Sequence, residues 1–153
     1  MTELKVFSVA PGLTVSAQLR PEDFPLLASR GVTMVLNNRP DGEEPGQLTA
    51  AQGAELASRN GMEYRYLPIV LPDISETDIR AFAGAMMATT GPVHAHCRSG
   101  LRSVTLWALG QVAAGRLTPE QARQAVSKAG FDPKATMTWL AGHGTGYPTG
   151  SGV

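Results

Sequence analysis

Gly91-Pro92-Val93-His94-Ala95-His96-Cys97-Arg98-Ser99-Gly100-Leu101-Arg102-Ser103-Val104-Thr105-Leu106-Trp107-Ala108-Leu109 decides how this chain folds. Its first five residues are an apolar run that predicts a buried strand. Val104 to Leu109 carries a helical pattern. Between them lies a short loop holding the only cysteine of the 153-residue chain. A thiol at a junction of strand, tight loop and helix start sits in a ring of backbone N–H groups. Such a ring binds anions and favours a thiolate. Arg102 adds a fixed positive charge and a forked, bidentate anion clamp. The pattern predicts a nucleophile, Cys97, in an oxyanion cradle closed by Arg102, with Arg98, Ser99, Gly100, Leu101 and Ser103 around the bound anion.

Two plainer readings compete. A lone cysteine is commonly a small buried hydrophobe, but here two arginines, a glycine and two serines lie within six residues of it. His94-x-His96-Cys97 also suggests a metal. On a strand, however, His94 and His96 share one face and Cys97 points to the other, with no further Cys or His cluster to complete four ligands. No metal and no cofactor are expected.

Working outward, Leu4-Lys5-Val6-Phe7 and Leu13-Thr14-Val15-Ser16 flank Pro11-Gly12 and predict a hairpin or two edge strands. Pro21-Glu22-Asp23 opens a helix that Gly31 ends. Val32 to Asn37 is a continuous apolar run, as in a strand buried on both faces. A polar loop comes next, Asn38 to Gly46. Thr49 caps a helix that Asn60-Gly61 stops. Met62 to Val70 predicts the next strand, followed by Leu71-Pro72-Asp73-Ile74. Ser75-Glu76-Thr77-Asp78 is a capping pattern, which assigns Asp78 to a helix start. Thr118-Pro119-Glu120-Gln121 is another, for a helix ending at Gly130. Thr136 to Ala141 suggests a last short helix. The fold class is therefore α/β: a mostly parallel central sheet of four to five strands with helices on both faces. Ligands of such sheets bind beyond the carboxyl ends of the strands, where the Asn38, Leu71 and Cys97 loops lie. Residues 1–141 form one catalytic domain. Residues 142–153, rich in Gly, Thr and Ser, read as a flexible tail.

Composition narrows the function. Thirteen Lys+Arg balance thirteen Asp+Glu, which removes any electrostatic case for nucleic acid or an acidic membrane surface. A single cysteine excludes an intrachain disulfide and fits a reducing cytoplasm. Any persulfide on Cys97 must be resolved by an outside thiol. No signal pattern opens the chain, and no stretch approaches the ~20 apolar residues of a membrane span.

Asn37-Asn38-Arg39-Pro40-Asp41-Gly42-Glu43, Tyr66-Leu67-Pro68-Ile69 and His96-Cys97-Arg98-Ser99-Gly100-Leu101-Arg102-Ser103 with Leu106-Trp107-Ala108 together resemble the beta-lactamase hydrolase-like protein, phosphatase-like domain family. The resemblance spans roughly residues 3 to 140. It implies a dual-specificity-phosphatase-like fold and a chemistry labelled in the family as phosphatase, hydrolase or sulfur transfer. Cysteine phosphatases of that fold place five residues between Cys and Arg. Cys97 and Arg102 have four between them, and Cys-Arg-Ser-Gly-x-Arg-Ser is similar to the active loop of rhodanese sulfurtransferases. A shorter ring brings its N–H groups nearer the sulfur and suits a sulfane sulfur better than a full phosphoryl group. A shift of about 1 Å is enough to cost on the order of 100-fold in a positioned reaction.

Two mechanisms are expected from these residues. In sulfur transfer, Cys97 takes the outer sulfur of thiosulfate or a persulfide, Arg102 and Arg98 hold the anion, Ser103 donates to the thiolate, and a thiol such as glutathione accepts the sulfur. In phosphate-ester hydrolysis, Cys97 becomes a phosphocysteine, and an acid must protonate the leaving group, worth roughly 10²–10⁴-fold. Asp73 is the first candidate acid and Asp41 the second; the plain reading of both is a turn residue. Arg39, just past a strand end, is a second anion contact. His96 organises the loop by hydrogen bonds, and His94 packs in the core. A third class, an inert anion- or partner-binding module, is disfavoured because a pure binder needs no thiol.

Overall fold

The computed structural model describes residues 3–143. Five short strands form one sheet in the order β1-β2-β5-β3-β4: β1 (Phe7–Ala10), β2 (Leu13–Ser16), β3 (Met34–Asn37), β4 (Glu63–Tyr66) and β5 (Val93–His96). Only the β1–β2 pair is antiparallel. Among the described residues six helices accompany the strands: α1 (Asp23–Ser29), α2 (Ala50–Arg59), α3 (Glu76–Met87), α4 (Leu101–Ala113), α5 (Pro119–Lys128) and α6 (Lys134–Gly142).

The sheet is covered on both sides, as the continuous apolar runs of β3 and β5 require. Leu13, Val15, Met34, Leu36, Val93 and Ala95 pack with residues of α3 to α6, including Phe82, Leu106, Trp107, Leu109 and Trp139. Val35, on the other face, packs with Leu19, Phe24, Leu27, Ala57 and Met62 around α1 and α2. Alternation along β5 sends Val93 and Ala95 toward α4, and Cys97 continues that parity. His94 falls on the opposite face. It is fully buried, its Nδ1 2.8 Å from Thr14 Oγ1 and its Nε2 2.7 Å from Ser16 Oγ. Ser16 Oγ donates to Ala17 O, so His94 carries its proton on Nε2 and accepts from Thr14. His94 is thus a core residue, as expected, but one that bridges β5 to β2.

Local chemistry sets the helix starts. Thr49, Ser75 and Thr118 each form a capping box with Gln52, Asp78 and Gln121, satisfying orphan N–H groups. Several expected boundaries move. The first strand is Phe7–Ala10, not Leu4–Phe7, because β1 pairs with β2 through an irregular register at Ser8 and Ala10. Leu4 packs in the α1/α2 core instead. The expected strands over 32–37 and 62–70 shorten to four residues each. The last helix extends on both sides, to Lys134–Gly142. All but the first two residues of the expected 142–153 tail lie outside the described residues. No helix among the described residues is long and apolar enough to cross a membrane.

Candidate active site

The parallel register places Ser16, Asn37 and His96 side by side at the carboxyl edge of the sheet. The loops leaving those strand ends must therefore meet. Gln18 N donates to Arg98 O at 3.4 Å, and Asn38 N donates to His96 O at 2.8 Å. The loops after β2, β3, β4 and β5 converge on Cys97, the crevice that open α/β sheets use for ligands.

Cys97 is buried, and the Gly100 N–H donates to its Sγ at 3.0 Å. That amide points inward because Gly100 is left-handed, with φ 104°, and forms the N-cap of α4. A side chain there would be strained, and a Cβ would approach Phe131 Cζ to 2.9 Å. Sulfur and helix N-terminus thus face each other across one turn, where helix N–H groups bind anions. Ser99 Oγ accepts from Leu101 N at 3.3 Å, tightening the same turn. Arg98 and Ser99 are exposed.

Arg102 lies on the first turn of α4. Its Nη2 donates to Glu43 Oε1 at 2.9 Å and its Nη1 to Ile69 O at 3.4 Å. Arg39 is wholly buried just past β3. Its Nε donates to the same Glu43 Oε1 at 2.9 Å and its Nη1 to Gln18 Oε1 at 3.1 Å. Its Nη2 lies 3.3 Å from Glu44 Oε1 without the alignment of a hydrogen bond. Arg102, then Arg39, hold the Glu43 carboxyl below the usual carboxylate range. Ion pairing of this kind keeps Glu43 ionised and unsuited to donating a proton.

Asn38 joins the parts. Its Nδ2 donates to Leu67 O at 2.9 Å, and its Oδ1 accepts from Ser103 Oγ at 2.8 Å. Its backbone oxygen accepts from Ile69 N at 3.1 Å. One fully buried amide therefore pins the end of β4 and the start of α4 to β3. Ser103, expected to donate to the thiolate, instead gives its hydroxyl proton to Asn38.

The candidate acids fall differently. Asp41 Oδ1 accepts from Ala50 N at 2.8 Å, at the first residue of α2, and Asp41 N donates to Tyr66 Oη. Its carboxylate serves the helix start. Asp78 sits in its capping box, as expected. Asp73 is exposed on the β4–α3 loop, its backbone bridged to Val70. His96 is buried; its Nδ1 lies 3.5 Å from Cys97 O, and burial, with the Arg39 charge, pushes it down to about 4. It is neutral at pH 7 and its ring lies on the face opposite the sulfur. Among the described residues no group of three or more His, Cys, Asp or Glu could hold a metal ion.

Beside the loop, Leu101 forms one wall of a cleft of about 510 Å³ with Leu71, Pro72, Ile74 and Trp139, and with Asp132, Lys134 and His143 at its polar edge. Trp139 is anchored through Nε1 to Ile74 O at 2.8 Å, and the His143 ring stacks on it. The sequence placed the Asn38 and Leu71 loops beside the Cys97 loop, but it did not single out Glu43, Asn38 or Gln18 individually, nor the part that Trp139 plays in the cleft. The Asn37-Asn38 pair, two amides ending an apolar strand, was the one signal that could have drawn attention to them.

Comparison with known proteins shows the family and the fold. A Beta-lactamase hydrolase-like protein of Agrobacterium fabrum is 38% identical over 145 residues, 95% of this chain and 34% of that protein. The chain thus spans about a third of the length of the curated relatives it matches. A Neisseria meningitidis protein described as a putative phosphatase superposes with a TM-score of 0.79 at 26% identity, covering 89% of this chain and 96% of that one. The phosphatase-fold protein PTPMT1 superposes at 0.68 with 16% identity, covering 89% and 91%, which establishes a shared fold. Residues 5–114 match the family model for the phosphatase-like domain of Beta-lactamase hydrolase-like proteins, and the chain belongs to that family.

Proposed function

We propose that this domain is a Cys97-dependent enzyme that moves sulfane sulfur from a small anionic donor to a thiol. The observation that carries the reading is the tight loop: the Gly100 N–H reaches Cys97 Sγ itself at 3.0 Å, inside a collar with only four residues between Cys97 and Arg102. A sulfur anion held there is solvated by backbone dipoles. The Cys97 thiolate attacks the outer sulfur of a donor, thiosulfate or a persulfide. The donor's S–S bond breaks as the new one forms, and sulfite or a thiolate leaves with the electron pair. A thiol such as glutathione then attacks the outer sulfur of the Cys97 persulfide and regenerates the thiolate. Neither step needs a general acid. That agrees with a site in which Asp41 and Asp78 cap helices and Glu43 is ion-paired to two arginines. The cleft beside Leu101 would take the organic part of the donor or acceptor.

The test is incubation with thiosulfate or glutathione persulfide, followed by mass spectrometry of the intact protein. One added sulfur, absent in Cys97→Ser and discharged by glutathione, is the expected result. No adduct and no transfer would overturn the reading.

Phosphate-ester hydrolysis is the second reading. Exposed Asp73, on the loop after β4, favours it, because its side chain is free to approach a leaving group. Hydrolysis of an aryl phosphate lost in both Cys97→Ser and Asp73→Asn would establish it. Inertness in both assays would leave an anion-binding module.

A further inference from the structure

The guanidiniums beside the loop already face carboxylates. Glu43 Oε1 accepts from both Arg102 Nη2 and Arg39 Nε, and Glu44 Oε1 lies 3.3 Å from Arg39 Nη2. Arg39 is wholly buried, so its charge is neutralised inside the protein rather than displayed. Two arginines against two glutamates sum to zero. Exposed Arg98 contributes the remaining positive charge, and the Cys97 thiolate cancels it. No positive surplus is left for a doubly charged ligand. Arg102 still has N–H groups beyond those given to Glu43 and Ile69, so an incoming anion shares it with Glu43 rather than replacing Glu43.

We infer that Glu43 is a specificity-determining residue: its carboxylate, held on Arg102 and Arg39, biases the Cys97 site toward singly charged ligands, persulfides of the form R–S–S⁻, over doubly charged thiosulfate and phosphate monoesters. The inference rests on the anion site proposed above and narrows its substrate class. The chemical step balances without another reactant. The Cys97 thiolate bonds to the terminal sulfur of R–S–S⁻, the S–S bond breaks, R–S⁻ leaves with the electron pair, and the terminal sulfur keeps its negative charge. A dianion meets the Glu43 field with one charge more than a monoanion does. At a separation of roughly 7 Å, that charge weakens binding by about threefold at the dielectric of water and by about fiftyfold at the effective dielectric of a protein surface. Glu43→Gln removes the charge while keeping the Oε1 acceptor for both arginines.

The test monitors the ¹⁵N–¹H signal of Gly100, whose amide faces the sulfur, during titration with sulfate and with methanesulfonate. These share a tetrahedral head and differ by one charge; ionic strength is held constant. The wild type is expected to bind methanesulfonate at least as tightly as sulfate. Glu43→Gln is expected to shift the ratio toward sulfate by at least about threefold, and Glu44→Gln to shift it the same way by less. A ratio unchanged in both variants, with the Gly100 signal still responding, overturns the role of Glu43 alone. A Gly100 signal that responds to neither anion in any of the three proteins overturns the anion site itself.

Discussion

Replacing Asn38 with alanine tests whether one buried amide holds the site together. The side chain makes two hydrogen bonds, to Leu67 O at 2.9 Å and from Ser103 Oγ at 2.8 Å. Each contributes about 1 kcal/mol net, and a hydroxyl left buried without a partner costs a further 1–3 kcal/mol or so. Ser103 is fully buried, whereas Leu67 is only partly so, and the larger penalty therefore falls on the Ser103 side. The sum is a loss of about 3–5 kcal/mol, a large share of the roughly 5–15 kcal/mol that keeps a domain folded. For a chain of this size it corresponds to a fall in Tm of about 6–20 °C. Urea unfolding should show a lower midpoint at an unchanged slope. Ser103→Ala should recover part of the loss in the Asn38→Ala background, with a coupling near 1 kcal/mol in the double-mutant cycle. Sulfur loading of Cys97 should slow as well, because Arg102 and Gly100 ride on the helix that Asn38 anchors. A loss below about 0.5 kcal/mol, with additive single changes, would refute this account of Asn38.

Gly100→Ala forces a side chain into the left-handed region and against the Phe131 ring, and should cost about 1–3 kcal/mol in unfolding measurements; Phe131→Leu should relieve the ring contact but not the backbone strain. Acid should destabilise the fold in a defined window. Burial pushes His94 down to about 3 and His96 to about 4, so below the ordinary value of about 6.5 the unfolded chain takes up protons that the folded chain refuses. Stability should be nearly flat above pH 7 and fall by about 4 kcal/mol between pH 7 and 5; His94→Gln should halve that slope in urea titrations, and an unchanged slope would remove His94 from the argument. Thr138 also lines the cleft beside Leu101, and Thr138→Trp, which narrows it, should raise the KM for a bulky thiol acceptor several-fold while leaving kcat for thiosulfate and cyanide unchanged, as judged by thiocyanate formation.

The order of strands and helices was legible because it is written in local chemistry. Thr49, Ser75 and Thr118 satisfy N–H groups three residues away, and Gly31, Gly61 and Gly130 stop helices through their own backbone freedom. The first strand was misplaced because alternation in Leu4 to Phe7 is short, and its register depends on a partner across an irregular pairing. Among the candidate site residues, the closeness of Cys97, Gly100 and Arg102 could be read directly, since they belong to one continuous turn. Asp41 could not be separated from Asp73 as an acid. Its contact with Ala50 N spans nine residues of loop whose path the sequence does not disclose. Glu43 looked like any solvated loop charge, because its partner Arg102 lies 59 residues away.

The sequence alone determined that a thiol would stand between a buried strand and a helix N-terminus, with a glycine to turn the chain and an arginine on the first helical turn. Those are short-range consequences of sterics and backbone hydrogen bonding. Only the tertiary structure decided which charges that arginine meets. Parallel pairing brings the ends of β2, β3, β4 and β5 to one edge, and side-chain electrostatics acts through space between groups that the chain order keeps far apart.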